Sequence, residues 1–293
     1  MQKIQLHLWY DTQAAQVAAF YTGIFPDSSV DAQSVIPDTP SGNAELLTFT
    51  IAGVRFQTIS GGPLFKLNPS VSLTVLCATT AETDSYWHKL LPGGEVLMPL
   101  DKYPFSKRYG WLRDKFGLTW QIMRTDRPIT QKLVPSLLFS GGQAGRAEEA
   151  VSFYTDTFEH ARLSHLNLYR ANEAPNPKAK LKHGAFTLEG LQMTAMDNAM
   201  VTDLAFNEAA SLIVLCKDQA EIDRLWEKLS ASPEHEQCGW LKDKFGLSWQ
   251  IVPEDMDALM CDDSGAYIPS VTQAMLNMKK LDIQALKDAR KTV

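Results

Sequence analysis

The apolar positions of the first sixty residues follow two different periods. Residues 3–10 alternate between polar and apolar side chains, which predicts a strand, and apolar residues at helical spacing follow. Asp11 or Thr12 is the predicted cap of that helix. Three short strands are predicted next, with Gly53 at the turn between the last two. The predicted order is β-α-β-β-β, with the helix starting near 14 and the last three strands at 29–36, 45–51 and 54–59.

The same order begins again after the Gly-Gly-Pro break at 61–63. Residues 71–77 predict a strand, and Thr79 with Glu82 three residues later forms a capping box for the next helix. A strand near 95–98 follows. Two apolar runs on either side of the Lys-Phe-Gly turn at 115–117 predict a closing hairpin.

Two long segments of the sequence occur twice. GWLRDKFGLTWQIM at 110–123 returns as GWLKDKFGLSWQIV at 239–252, with three conservative differences. SLTVLCATTAETDSYWHKL at 72–90 returns as SLIVLCKDQAEIDRLWEKL at 211–229. An internal repeat of this kind indicates two copies of one domain. The second copy is predicted to place a helix at 147–158, a hairpin about Gly190 and a capping box at Asp218 and Glu221.

The repeat sets the predicted domain limits. We expect a first domain at 1–127, a linker at 128–134, a second domain at 135–262 and a C-terminal helix at 263–293. Apolar residues at helical spacing after Tyr267 predict that this last helix packs on the domains or on a partner chain. The segment Leu91–Tyr109 is about ten residues longer than its counterpart, and both a functional loop and a neutral insertion remain open.

Composition and charge indicate which partners and which location to expect for the protein. The chain has 293 residues and a net charge of −6, which argues against nucleic acid and anionic membrane surfaces as partners. The N-terminal residues lack the pattern of a secretory signal, and no apolar run approaches a membrane span, so a cytoplasmic protein is expected. Of the four cysteines, Cys77 and Cys216 occupy equivalent strand positions and are interpreted as small buried hydrophobes.

Several of these segments resemble one known family. GGPLFKLNPSVSL at 61–73, GWLKDKFGLSWQIVP at 239–253 and QAMLNMKKLDIQALKDA at 273–289 are similar to PhnB-like members of the vicinal oxygen chelate (glyoxalase/bleomycin resistance/dihydroxybiphenyl dioxygenase) superfamily. These proteins are often labelled as 3-demethylubiquinone-9 3-methyltransferase-like. The resemblance implies an α+β fold of tandem glyoxalase-like domains, each built of two βαβββ modules forming a half-open barrel. It also implies that the chain corresponds to a fused dimer, and a further homodimer is left open.

The resemblance further implies where a divalent metal would be held, on the first and last strand of each module. The first copy offers His7, Gln57 and Gln121 at such places, with Ser72 or Thr74. The second copy offers no imidazole on its first strand. It offers Met193 or Thr194, Ser211 and Gln250. Amide oxygens are weaker ligands than carboxylates, so we expect no tight metal site, and a divalent metal in the first domain is the alternative.

The remaining candidates are aromatic and polar residues in the repeat. Together with His7, Gln57, Gln121 and Gln250, the predicted ligand pocket includes four tryptophans: Trp111, Trp120, Trp240 and Trp249. A role in the core is favoured for these tryptophans, and one of each pair is the alternative candidate for the floor of a pocket. His183 has no equivalent imidazole in the first copy, where Leu46 occupies its place. Asp114 and Asp243 are interpreted as solvated turn residues.

Three functions follow as hypotheses. The first is a protein that binds a small molecule in a barrel pocket with a degenerate metal site. The second is a metal-dependent lyase, isomerase or dioxygenase acting in the first domain, and whether the chain is an enzyme stays undecided. The third is a methyltransferase. It is suggested by the family label. The nearest candidate for its cofactor motif is the loop SGGQAGR at 140–146, which mimics a nucleotide-binding fingerprint but lies in β-α-β-β-β rather than β-α-β order, so the loop is interpreted as a strand-to-helix connection.

Overall fold

The computed structural model describes residues 2–39, 42–262 and 265–291. Fifteen strands are present in these ranges: β1 (Ile4–Tyr10), β2 (Ser29–Thr39), β3 (Gly42–Ile51), β4 (Val54–Ser60), β5 (Val71–Cys77), β6 (Glu95–Tyr103), β7 (Ser106–Arg113), β8 (Thr119–Arg124), β9 (Leu133–Phe139), β10 (Ala161–Leu168), β11 (Leu181–Leu188), β12 (Leu191–Asp197), β13 (Ala210–Cys216), β14 (Trp240–Lys242) and β15 (Ser248–Pro253). The α-helices are α1 (Ala14–Ile24), α2 (Thr80–Leu90), α3 (Ala147–Thr157), α4 (Gln219–Leu229), α5 (Met256–Met260), α6 (Pro269–Leu276) and α7 (Ile283–Arg290).

The strands and α1 to α4 form four modules, which confirms the predicted α+β class. The first three have the order β-α-β-β-β, and the fourth, with β13, α4, β14 and β15, has the order β-α-β-β. Strand β10 was not predicted, because the alternation of its apolar and polar side chains changes phase between Leu163 and His165, where the strand has a register shift. Neither Asp11 nor Thr12 caps α1. Gln13 occupies the cap position without a side-chain hydrogen bond to the helix. Both predicted capping boxes are confirmed, since the side chains of Thr79 and Asp218 accept from the amides of the glutamates three residues later.

The modules pair crosswise between the two copies. The seven-stranded sheet has the order β14-β15-β13-β1-β4-β3-β2, and the eight-stranded sheet has the order β10-β11-β12-β9-β5-β8-β7-β6. Each sheet therefore joins the first module of one copy to the second module of the other. Antiparallel pairs β1·β13 and β5·β9 make the two junctions. This is the exchange expected of a fused dimer, and it determines which side chains share a site.

Two crossing segments connect the sheets. Residues 61–70 lead from β4 to β5, and residues 198–209 lead from β12 to β13. Asn68 Nδ2 donates to the Ala205 carbonyl at 3.0 Å, and Asn207 Nδ2 donates to the Lys66 carbonyl at 2.9 Å. These reciprocal bonds fix one crossing against the other, so the two sheets are linked at equivalent points.

Each sheet buries one face, the outer face, against its helices. Residues of alternating strand positions such as Leu6, Leu8 and Phe56 belong to that core. Trp120 and Trp249 are fully buried in it, which confirms the structural interpretation for this pair. The opposite face of each sheet, the inner face, carries the polar residues at intervening positions because side chains alternate along a strand.

The C-terminal segment forms two helices where one was predicted. Helix α6 ends at Leu276 and α7 starts at Ile283, with a cap by Asp282, and both pack with α5 in a separate apolar cluster. Residues 263, 264, 292 and 293 of the predicted helix lie outside the described residues. The longer segment Leu91–Tyr109 forms the extended β6–β7 hairpin. No helix in the described ranges is long and apolar enough to span a membrane.

Candidate functional site

The inner face of the seven-stranded sheet centres on a buried imidazole. His7 is paired across the sheet with Gln57 on one side and Ser211 on the other. Ser211 Oγ lies 3.4 Å from His7 Nδ1, and Gln250 Nε2 donates to the same hydroxyl at 2.9 Å. Trp240 meets the imidazole edge-on, with ring centroids 5.4 Å apart. Burial lowers the pKa of His7 to about 3, so the ring is neutral at physiological pH.

The inner face of the eight-stranded sheet has the same plan with different chemistry. Ser136 pairs with Ser72 and Thr194, and so occupies the place of His7. Gln121 Nε2 donates to Ser72 Oγ at 2.9 Å, as Gln250 does to Ser211. The hydroxyl of Tyr109 in turn donates to Gln121 Oε1 at 3.0 Å. A hydroxyl network thus replaces the imidazole of the other face.

The crosswise pairing separates residues that the sequence had grouped. His7 and Gln57 lie on the seven-stranded sheet with Gln250 and Trp240, whereas Gln121 lies on the eight-stranded sheet. The predicted ligand set of His7, Gln57 and Gln121 is therefore wrong as a set, because a repeat along the chain does not show which modules pair. Trp111 and Trp240 face inward on their sheets, each paired with a glutamine.

The residues present do not fit a divalent metal. One inner face offers the imidazole of His7 with amides and hydroxyls, and the other offers amides and hydroxyls with the His165 and His183 pair at its edge. Within the described parts of the chain, no group of three or more His, Cys, Asp or Glu side chains is placed to hold a metal ion. Neutral oxygen donors without a carboxylate do not supply the charge that binds such cations tightly.

The aspartate of the repeated motif has a structural role in each copy. Asp114 is buried and accepts from the Tyr21 hydroxyl at 2.5 Å, from Trp120 Nε1 at 2.7 Å and from two backbone amides of its own turn. Asp243 repeats these contacts in the second copy with Tyr154. Burial raises the pKa of Asp114, while these hydrogen bonds oppose the rise. The prediction of solvated turn residues was wrong, since each carboxylate ties a helix to a hairpin.

Among the described residues, four buried side-chain polar atoms have no hydrogen-bond partner, and they are Arg55 Nε, Trp111 Nε1, Arg113 Nε and Ser248 Oγ. Most buried polar atoms in native proteins are paired, so such atoms require an explanation.

All four atoms belong to residues of the inner faces. Ser248 pairs with Ser211 in the register of the seven-stranded sheet. Arg55 lies between Val54 and Phe56 of the outer face, so its own side chain points inward. On the eight-stranded sheet Trp111 pairs with Gln121, and Arg113 follows two residues later on the same side of β7. Each inner face therefore holds two of them.

The sequence analysis did not predict that two histidines lie together at one edge of the eight-stranded sheet. His165 Nε2 and His183 Nδ1 are 3.0 Å apart, and the rings stack with centroids 5.1 Å apart. Burial lowers the pKa of His183 to about 4, with help from His165 and Arg127. The unpredicted strand β10 supplies His165, so no pattern in the sequence joined the two.

The C-terminal segment crosses the inner side of the seven-stranded sheet. The Tyr267 hydroxyl lies 3.4 Å from Ser34 Oγ on β2, at one edge of the sheet. At the other edge, the amides of Cys238 and Gly239 before β14 donate to the carbonyls of Met278 and Lys279. Helix α6 between these contacts is about 12 Å long, whereas seven flat strands would span about 29 Å. The sheet must therefore curl, and α6 lies across its opening.

The glycine-rich loop at 140–146 directs most of its amides to protein acceptors. Asp197 is buried and accepts from the amides of Gly145 and Ala147 at 2.8 and 3.2 Å. The amides of residues 143, 144 and 146 bond to carbonyls within the loop. A side chain at Gly145 would meet the Lys178 carbonyl at 2.3 Å. The loop is packed against protein, which confirms its interpretation as a strand-to-helix connection.

Two surface clefts of about 650 and 280 Å³ lie outside the inner faces. The first is lined by the 168–180 loop and the second by hairpin turns near Gly53 and Gly190. Neither gathers any of the candidate site residues, so neither changes the assignment of the site.

Three β-α-β-β-β modules and one β-α-β-β module in two half-open sheets define a tandem fold of the glyoxalase-like (vicinal oxygen chelate) type. The model of the family described as 3-demethylubiquinone-9 3-methyltransferase matches residues 2–123 and 131–252, and the chain belongs to this family. A search of curated proteins finds no match.

Two solved structures show how the copies relate to single domains and to larger relatives. A PhnB protein from Bacillus cereus is 36% identical and aligns over 42% of this chain and 100% of its own, with a TM-score of 0.40. Glyoxalase I from Zea mays is 10% identical over 86% of this chain and 92% of its own, with a TM-score of 0.53. The first corresponds in length to one copy. The second shares the fold of the whole chain.

Proposed function

We propose that this protein binds a small molecule on the inner faces of its two sheets. The observation that carries the proposal is the placement of the four unpartnered buried atoms, all of which belong to inner-face residues. Leaving a buried polar group unpaired costs about 1–3 kcal/mol, so a ligand that pairs them recovers that free energy on binding. A cytoplasmic location and a further homodimer remain predictions alongside this function.

A metal-dependent lyase, isomerase or dioxygenase is less well supported. Its predicted ligands are divided between the sheets, and apart from His7 and the His165 and His183 pair the possible metal ligands on the inner faces are neutral amides and hydroxyls. The methyltransferase hypothesis has little support from the 140–146 loop, because the amides of residues 143 to 146 are bonded within the protein.

A ligand screen by thermal unfolding tests the proposal. Binding to the native state stabilises it by RT ln(1 + [L]/Kd), which is about 2.7 kcal/mol when the ligand is at 100 times its Kd. Compounds that stabilise the native protein are retested on Trp111→Phe and Ser248→Ala, one variant for each inner face. Trp226→Phe, on α4 of the outer side, is the matched control.

We expect stabilisation to be lost in one of the inner-face variants and kept in the control. The proposal fails if no compound in a chemically broad library stabilises the protein. It also fails if both inner-face variants respond to every active compound as the native protein does.

A further inference from the structure

We infer that the inner face of the eight-stranded sheet binds a planar aromatic carboxylate at Trp111 and Arg113. This inference rests on the proposed function and specifies its ligand. The two residues lie two positions apart on the same side of β7, so their Cβ atoms are about 7 Å apart. Both carry a buried nitrogen without a partner among the described residues.

The chemistry of the two nitrogens determines which hydrogen-bonding groups and which charge the ligand must carry. The indole and guanidinium N–H groups donate and cannot accept. A ligand that satisfies both must therefore present acceptors. Because the guanidinium is permanently charged, an anionic acceptor makes the stronger bond, and a carboxylate matches the fork of an arginine.

The ion pair with Glu95 does not use the Nε atom of Arg113. The Glu95 carboxylate bonds Arg113 Nη1 at 2.8 Å, and 60% of the glutamate side chain is exposed. An exposed pair of this kind contributes little free energy, so a ligand need not overcome much to share the guanidinium. The Nε atom does not take part in that pair and is buried.

Aromatic residues of the β6–β7 hairpin indicate that the ligand carries a planar aromatic ring. Tyr103 and Phe105 stack with centroids 5.6 Å apart, and both meet the ring of Tyr109 edge-on. Tyr109 and Trp111 share the inner side of β7, and Phe105 at the tip is 60% exposed. Aromatic side chains in contact thus lead from the surface to Tyr109, which lies two positions before Trp111 on the same side of β7. Aromatic rings favour such edge and offset contacts.

The other sheet provides a natural comparison, because its equivalent donors are already engaged. Lys242 replaces Arg113 and pairs with Glu208 at 2.8 Å, with both side chains largely buried. Trp240 replaces Trp111 and packs on His7. Cys238 occupies the place of Tyr109 and lies before β14, which is only three residues long. The inferred ligand therefore fits one sheet and not its counterpart.

Nuclear magnetic resonance of the indole N–H groups tests the inference. The full chain labelled with ¹⁵N should give seven indole signals, one for each tryptophan. Trp111→Phe and Trp240→Phe assign the two of interest. The probes are 2-naphthoate, the neutral 2-naphthamide and the non-aromatic cyclohexanecarboxylate.

We expect 2-naphthoate to shift the Trp111 signal and leave the Trp240 signal in place, with each other probe binding at least about tenfold more weakly. Arg113→Gln should weaken 2-naphthoate at least about tenfold, and Lys242→Gln should change it less than about twofold. Unchanged signals from the remaining tryptophans show that each variant is folded.

Equal binding of 2-naphthamide or cyclohexanecarboxylate would overturn the inference, as would a shift at Trp240 in place of Trp111. If 2-naphthoate does not bind but other compounds of the screen require Trp111, the ligand class is wrong and the proposed function stands. If no compound depends on either inner face, the proposed function itself has failed.

Discussion

The buried imidazole of His7 predicts a specific dependence of stability on pH. Its pKa is about 3 in the folded protein and about 6.5 in an unfolded chain. A base with a lowered pKa stays neutral in the native state while the unfolded state takes up a proton. The contribution is therefore fully present above pH 6.5 and is lost as the pH falls toward the folded value.

The size of the effect follows from these two pKa values. Between pH 7 and pH 5 the unfolded state gains most of one proton at this site and the native state gains almost none. Integrating that difference gives a loss of about 2 kcal/mol in the free energy of unfolding. His183 and His165 add losses of the same sign, so the contribution of His7 must be isolated by substitution.

Urea unfolding followed by tryptophan fluorescence measures this contribution. The free energies of unfolding of the native protein and of His7→Gln are compared at pH 7 and pH 5. The variant should lose about 2 kcal/mol less than the native protein over this interval. Ile213→Val, which keeps the imidazole and perturbs the neighbouring strand, should behave as the native protein. Equal losses in the native protein and His7→Gln would refute the argument.

Three further outcomes are expected. Asp114→Asn should destabilise the protein by about 2–4 kcal/mol in urea unfolding, because an amide cannot accept the four hydrogen bonds the carboxylate accepts; an effect below about 1 kcal/mol would contradict this. Gly110→Ala should cost about 1–3 kcal/mol, since its Cβ would lie 2.4 Å from the Trp87 ring, and Gly142→Ala, with open space around it, is the control. Titration calorimetry with S-adenosylmethionine should give no binding heat; saturable heat would restore the methyltransferase hypothesis.

The elements of the fold were largely predictable because local patterns specify them. The strand at 71–77 and the capping boxes at Thr79 and Asp218 are present where the sequence placed them. Alternation and capping act over a few residues, so they can be read from a single segment. The alternation in strand β10 changes phase, and this strand was not predicted.

The arrangement of the site was less predictable because it depends on contacts between distant segments. Identical repeats fit pairing within a copy as well as pairing across copies, so His7 was grouped with Gln121 when its neighbours are Ser211 and Gln250. Burial of Asp114 likewise depends on a tyrosine far away in sequence. The free donors at the inner faces have no sequence signal, because only the packed structure shows which polar atoms lack a partner.

The central claim is that the inner faces are binding sites, and that a ligand accepts hydrogen bonds from their unpaired donors. The most direct test is a crystal structure of the protein soaked with 2-naphthoate, examined at Trp111 and Arg113. We expect the carboxylate of 2-naphthoate within hydrogen-bond distance of Trp111 Nε1 and Arg113 Nε, with its naphthalene ring against Tyr109. A structure in which both nitrogens bond to protein groups and the probe lies elsewhere would contradict it.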